Sequence, residues 1–362
     1  MIRPKLVDLF CGTGGFSLGA HRAGFEVTTA IDIDQTLTSS FSRNFGQTTL
    51  LNRDVSTLTG QQLIQYAGHE IDGIFGGPPC QGFSAMGHRN SEDPRRELLG
   101  HFFRLVAEVR PSFFVMENVV GLSYPDAKPV LEEALSLVTS NYEIVGPVVL
   151  DAAEYGAATK RRRLFVIGYD RARCDDLTTA DFLGARRPAA TVADAIEDLR
   201  HAREIGHTDG FDIWQLPPEV VPNRYRDALL TADRRFTGHR PTLHTDEVTA
   251  RFKNVPMGGI DKVGRHPRLA WDGQCPTLRA GTGSDRGSFQ SVRPIHPDLP
   301  RVITVREAAR LQGFPDSFVF HPTVWHSFRM IGNSVSPIIS EAIFSTLRSK
   351  LYRGHGSSIA AE

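Results

Sequence analysis

The chain has 362 residues, of which 40% are hydrophobic, and its composition is that of a globular protein with one large and one smaller domain rather than a disordered one. A formal net charge of zero excludes an indiscriminate polyanion binder. No apolar run approaches the ~20 residues that cross a bilayer, and Met1-Ile2-Arg3-Pro4 has no signal-peptide layout, so a cytoplasmic protein without membrane contact is expected.

The four cysteines, Cys11, Cys80, Cys174 and Cys275, are far apart and lack C-x-x-C spacing, which points to neither a disulfide framework nor a zinc site; no metal is expected. Lysine is confined to Lys5, Lys128, Lys160, Lys253, Lys262 and Lys350, so arginine supplies most of the positive charge. Arginine is the better fork for phosphate and guanine, although genome composition alone produces the same bias.

Residues 5–10 predict a first strand that runs into Cys11-Gly12-Thr13-Gly14-Gly15 and a helix over residues 16–23. Such a strand, turn and helix N-terminus cradle nucleotide-like cofactors, because Gly12 and Gly14 let the backbone approach the ligand. Ser17 stands where a dinucleotide fingerprint has its third glycine, which argues against a nicotinamide oxidoreductase. Residues 26–31 predict a second strand ending at Asp32, placed to accept both hydroxyls of a ribose or else to serve as a solvated turn acid. A helix over 35–45 and a strand over 48–51 follow, and Asp54 brings another carboxylate to the same sheet edge.

The apolar residues 71–75 lead into Gly76-Gly77-Pro78-Pro79-Cys80-Gln81-Gly82-Phe83-Ser84. Two prolines stiffen the near side of the cysteine and Gly82 frees the far side, which is how a nucleophile would be held; a small buried hydrophobe is the competing reading. Arg89, Arg95 and Arg96 make the following stretch either a basic flap or a solvated loop. A core helix over 96–109 precedes the buried strand 113–116, which delivers Glu117-Asn118 at its tip. Desolvation there would raise the Glu117 pKa and suit it to general-acid work.

After an amphipathic helix and a strand over 142–150, Lys160-Arg161-Arg162-Arg163 approach the strand 164–168. Alternation would put Arg161 and Arg163 on one side, facing the site, while a charged edge that resists aggregation is the alternative. Residues 186–300 lose strong periodicity and read as a loop-rich domain or long insertion. Helical pattern returns at 306–311 and in a last helix after Pro337, and residues 354–362 read as a frayed tail.

These motifs together resemble the cytosine-5 DNA methyltransferases. Asp8-Leu9-Phe10-Cys11-Gly12-Thr13-Gly14-Gly15, Pro78-Pro79-Cys80-Gln81, Glu117-Asn118-Val119, Arg161-x-Arg163, Arg306-Glu307-Ala308-Ala309-Arg310-Leu311-Gln312-Gly313-Phe314-Pro315 and Gly332-Asn333-Ser334-Val335 stand in that family's usual order. The resemblance implies an α/β fold, a doubly wound, mostly parallel sheet that binds S-adenosylmethionine, with a smaller target-recognition domain. Its divisions would be a catalytic part at 1–185, recognition at 186–300 and a return to the catalytic part at 301–362.

Phe10, Gly12, Gly14, Asp32, Asp54, Pro79 and residues 333–335 (Asn333, Ser334, Val335) would border the cofactor. Cys80 would add to carbon 6 of cytosine, and Glu117 would hydrogen-bond ring nitrogen 3 and the amine. Arg161 and Arg163 would hold the base's carbonyl oxygen and the active-site loop. Gln81, Ser84 and Met86 would face double-stranded DNA, with Ser84 or Met86 filling the gap left by a flipped base. Arg279, Arg286 and Arg293 would read guanines or hold phosphates.

Two departures from the family pattern are Ala158-Thr159, where Pro-Gln is common, and Asp32, where a glutamate is common. The resemblance implies a monomeric bacterial modification enzyme working beside a cognate restriction endonuclease. Two rivals are a transfer-RNA cytosine methyltransferase, whose Cys-Phe-Thr tripeptide is absent here, and a DNA-binding regulator without catalysis. No residue declares itself as the base that removes the carbon 5 proton.

Overall fold

The computed structural model describes residues 3–79, 97–218, 221–280 and 292–351. The first half of the chain alternates strand and helix: β1 (Lys5–Leu9), α1 (Gly15–Arg22), β2 (Glu26–Ile31), α2 (Phe41–Asn44), β3 (Thr49–Leu51), α3 (Gly60–Ala67), β4 (Gly73–Gly76), α4 (Glu97–Val109), β5 (Phe113–Asn118), α5 (Lys128–Ser136), β6 (Glu143–Asp151) and β7 (Arg162–Tyr169). They form a seven-stranded sheet in the order β3-β2-β1-β4-β5-β7-β6, parallel except for β7, which runs antiparallel to both neighbours. The strands on either side of β1 are reached by connections that go opposite ways, so a crevice opens at the carboxyl ends of β1 and β4, where such sheets bind ligands. β4 and β5 are buried along their whole length, as central strands covered on both faces must be.

The helix expected over 35–45 shrinks to α2. Asp34 accepts backbone N–H bonds from Thr36 and Leu37, while the Thr38 and Ser39 hydroxyls donate to nearby carbonyls. These local bonds compete with helix formation and leave turns instead.

The middle of the chain is more ordered than its weak periodicity suggests. It holds α6 (Thr179–Gly184), α7 (Val192–Ile196), β8 (Arg203–Thr208), β9 (Phe211–Gln215), α8 (Arg224–Asp227), β10 (Arg235–Thr237) and α9 (Asp246–Lys253), with β10-β9-β8 forming a three-stranded antiparallel sheet. Asp209 and Gly210, both at positive φ, make the tight turn of the β8–β9 hairpin. That Asp-Gly pair is a strong hairpin signal that the sequence reading passed over.

The chain closes with α10 (Val305–Leu311), α11 (Val324–Asn333) and α12 (Pro337–Lys350). α10 is a polar knot inside the core. Arg306 donates to the carbonyls of Thr237, Pro315 and Phe318, and Arg310 pairs with Asp198 and Asp316 at 2.7 Å each. The motif at 306–315 is therefore an architectural joint between the middle segment and the C-terminal stretch. α12 returns against α1, where the Ser340 hydroxyl donates to the Phe16 carbonyl and Phe344 packs among Phe16, Phe25 and Phe75. Among the described residues, no helix is long and apolar enough to cross a membrane, and no group of three or more potential metal ligands occurs.

Candidate active site and cofactor crevice

The crevice at the sheet edge contains a cavity of about 560 Å³, within the usual range for a small-molecule site. Phe10, Asp32, Asp54, Pro79, Glu117 and Arg163 line it, and Asn333, Ser334 and Val335 form its far wall. The expected cofactor residues thus share one space, although they come from both ends of the chain, except Gly14, which does not line the cavity.

On the β1–β2 side the turn is built from positive-φ residues: Phe10 at 63°, Gly12 at 52° and Gly14 at 89°. Asp32 closes it by accepting the Gly12 N–H at 2.9 Å and the Asp34 N–H at 2.8 Å. Burial raises the Asp32 carboxyl above its ordinary pKa, and those two backbone bonds oppose the shift. Asp54 uses one oxygen to accept the Ser56 N–H and lines the cavity.

Several residues of this half escaped the sequence reading. Asp8 is buried within β1; one oxygen accepts the Ser17 hydroxyl at 2.5 Å, and the other has no partner. Burial holds its carboxyl well above the usual range, toward the neutral form. The Thr13 hydroxyl, also buried and lining the cavity, is likewise unpartnered. Buried polar atoms ordinarily find partners, so a polar ligand with hydrogen-bonding ends fits this cradle, and S-adenosylmethionine has such ends. Ile33 lies 66% exposed at the cavity, beside an Asp34–Arg329 pair 2.5 Å long. An acid inside an apolar strand and a large apolar residue between two acids were the available signals.

On the β4–β5 side, Glu117 sits at the buried end of β5, with Oε1 2.9 Å from Arg163 Nε. Burial raises the Glu117 pKa, while Arg163 and Arg161 pull it down. Asn118 donates to the Pro78 carbonyl at 3.1 Å, tying the tip of β5 to the turn that leads into Cys80. Cys80 itself, with Gln81, Ser84, Met86 and Arg286, lies outside the described residues.

The two arginines do not face one way, as strand alternation had suggested. β7 begins at Arg162, so Arg161 lies before the strand and outside its alternation. Arg163 enters the cavity, while Arg161 is fully buried behind it and donates to the carbonyls of Leu278 and Gly332. Of the arginines expected to meet DNA, Arg279 is exposed. Arg293 is half-buried, its guanidinium 4.8 Å over the Phe328 ring with one N–H donated to the Thr242 hydroxyl, so it is engaged within the fold.

Comparison with known proteins agrees with this geometry. Residues 4–349 match the family model of C-5 cytosine-specific DNA methylases. The type II methyltransferase M.XorII of Xanthomonas oryzae pv. oryzae is 39% identical over 95% of this chain and 84% of its own length. M.DdeI of Desulfomicrobium norvegicum is 31% identical over 94% and 87%. Among solved structures, an Escherichia coli chain named as a prophage-encoded DNA modification methyltransferase superposes with a TM-score of 0.81 at 37% identity, covering 96% of this chain and 99% of that one. Dnmt2 of S. pombe shares the fold with a TM-score of 0.65 at 18% identity, over 96% and 99%. With a match running almost from end to end, the chain belongs to the family of C-5 cytosine-specific DNA methylases.

Proposed function

We propose that this enzyme methylates carbon 5 of one cytosine within a specific duplex DNA sequence, in the cytoplasm, as the modification partner of a cognate restriction endonuclease. The observation that carries the reading is Glu117, a buried carboxyl of raised pKa beside Arg163, tied through Asn118 to the turn before Cys80 and open to the cofactor cavity. S-adenosylmethionine, when bound, supplies an electrophilic methyl group on a sulfonium.

Cytosine carbon 5 is too electron-poor to attack that methyl unaided. The Cys80 thiolate adds to carbon 6, forming the C–S bond and pushing the ring electrons toward nitrogen 3, where Glu117 delivers its proton. Glu117 also accepts from the exocyclic amine, which distinguishes cytosine from thymine. Carbon 5, now enamine-like, would accept the methyl as the sulfonium becomes a neutral thioether; loss of the carbon 5 proton to a base would then break the C–S bond and release the Cys80 thiolate, and nitrogen 3 would return its proton to Glu117. Arg163 keeps the Glu117 carboxyl in place through this sequence and offers its remaining N–H groups to the base's carbonyl oxygen. The target base must leave the duplex stack to reach this crevice, at a cost of about a few kcal/mol.

In this reading residues 1–185 and 301–362 perform the chemistry and residues 186–300 choose the DNA. The test is bisulfite sequencing of genomic DNA from a methylation-free host expressing the chain. Protected cytosines confined to one short sequence are expected, and Cys80→Ala should return the host to full conversion. Full conversion with the soluble parent protein, or protection that survives Cys80→Ala, would sink the proposal.

A further inference from the structure

Arg161 makes contacts that its sequence pairing with Arg163 does not explain. It is 2% exposed, has no ion pair among the described residues, and leaves Nε without a partner. Its side chain is held instead by two carbonyls, with Nη1 donating to Leu278 at 3.2 Å and Nη2 to Gly332 at 2.8 Å. A buried cation whose hydrogen bonds all go to carbonyls, offset only by the charge of nearby Glu117, is costly to desolvate, so the fold keeps it at the expense of stability. The separated donors of a planar guanidinium are suited to holding two carbonyls on different segments at once.

Those two segments are the notable feature. Leu278 belongs to a stretch stitched onto the approach to β7: the Cys275 N–H donates to Ala158, the Lys160 N–H to Cys275, and the Thr277 hydroxyl to Lys160. The same stretch continues to exposed Arg279 and half-buried Ala280. Gly332 immediately precedes Asn333 and Ser334 in the cofactor wall. The backbone of Arg279 and Ala280 lies so close to Gly332 that a Cβ there would have no space. Two residues beyond Arg161, Arg163 holds Glu117.

We propose that Arg161 is a positioning residue that locks residues 277–280, on the DNA side of the crevice, in register with residues 332–334 of the cofactor wall. DNA discrimination and cofactor binding then depend on a single guanidinium that touches neither ligand. The inference rests on the cytosine methyltransferase reading of this crevice and assigns Arg161 a different task from Arg163.

The test uses the full chain carrying Arg161→Met, Arg161→Lys or Arg163→Lys. Each is assayed on the duplex found by bisulfite sequencing and on duplexes with one changed base pair, recording kcat, KM for S-adenosylmethionine and the preference for the correct duplex. A mere loss of folded enzyme lowers kcat on every duplex alike and moves neither KM nor the preference.

Arg161→Met should raise the cofactor KM and remove about tenfold of the preference, where one changed pair ordinarily costs about ten- to a hundredfold. Arg161→Lys should recover part of both, and Arg163→Lys should lower kcat with the preference intact. If Arg161→Met and Arg161→Lys both keep the parent's KM and preference, the inference is overturned. Should Arg161→Met fail to fold, the same readouts on Arg161→Lys decide it. A parent chain that methylates no cytosine would overturn the underlying reading instead.

Discussion

Glu117 shows how the residue scale sets the chemistry. A carboxyl at the end of a fully buried strand is desolvated, which favours its proton, and the adjacent guanidinium of Arg163 restrains the shift without cancelling it. The sign follows directly: a raised folded pKa means that the group's contribution to stability is present below the ordinary carboxylate pKa and fades as pH rises through the folded value. Activity that needs the protonated acid should fall along the same alkaline direction. Glu117→Gln should lower kcat by about 10²- to 10⁴-fold and remove that limb of the kcat–pH profile, with cofactor affinity retained. A Gln variant whose profile still falls at the same pH would show that another group titrates there. The raised pKa was expected from the apolar run before Glu117, whereas the divergence of Arg161 from Arg163 depended on where β7 begins.

At the scale of elements, α10 carries the clearest acid sensitivity. Its capping box joins Thr304 and Glu307, and Glu307 also holds Arg301 through a bidentate pair with contacts of 2.7 and 2.9 Å. Burial would raise the Glu307 carboxyl, but the Arg301 hydrogen bond and charge push it down to about 2. Nearby His296, desolvated, falls to about 4. The depressed Glu307 value stabilises the fold at neutral pH, whereas His296, neutral there in both states, adds a penalty as pH falls below its unfolded value of about 6.5, because the folded site resists its charge. The Glu307 contribution is then lost as pH falls below an unfolded value of about 4.3. Urea denaturation at neutral pH and in mild acid should therefore show a steep loss of stability, and Glu307→Gln should flatten the lower part of it. That variant should also cost about 3 kcal/mol at neutral pH, because Arg301 is left buried without its partner. An unchanged acid slope would place the sensitivity elsewhere.

The molecule as a whole closes by bringing its last helix to its first. Phe344 of α12 is fully buried, with ring centroids 5.0 Å from Phe75, 5.5 Å from Phe16 and 5.6 Å from Phe25. Phe344→Ala should cost about 3–5 kcal/mol, read as a lower urea midpoint with an unchanged slope. A loss below about 1 kcal/mol would mean that the contact adds little beyond its exposed alternative. The same return places residues 333–335 opposite Phe10 and Asp32, so a destabilised α12 should also weaken cofactor binding. A second core runs from Phe41 and Phe45 through Ile196, Leu216 and Phe236 to Phe314 and Ile331, packing the middle of the chain against its ends.

The order of strands and helices in the first half, the glycine turn, Asp32, Asp54 and the Glu117 tip were all legible in the sequence, because hydrophobic period, glycine and strand-end carboxylates act through neighbours along the chain. The middle segment was legible only in part: its Asp209-Gly210 turn, passed over in the sequence reading, announces a hairpin, but the short elements around it derive their order from tertiary packing. Tertiary structure alone decided that Asp8 and Thr13 have unpartnered atoms in the cavity, that Arg293 is stacked on Phe328, and that Arg161 joins two backbone segments. Each of those outcomes depends on carbonyls, rings or empty space supplied by residues remote in sequence, which no local pattern of residue types encodes.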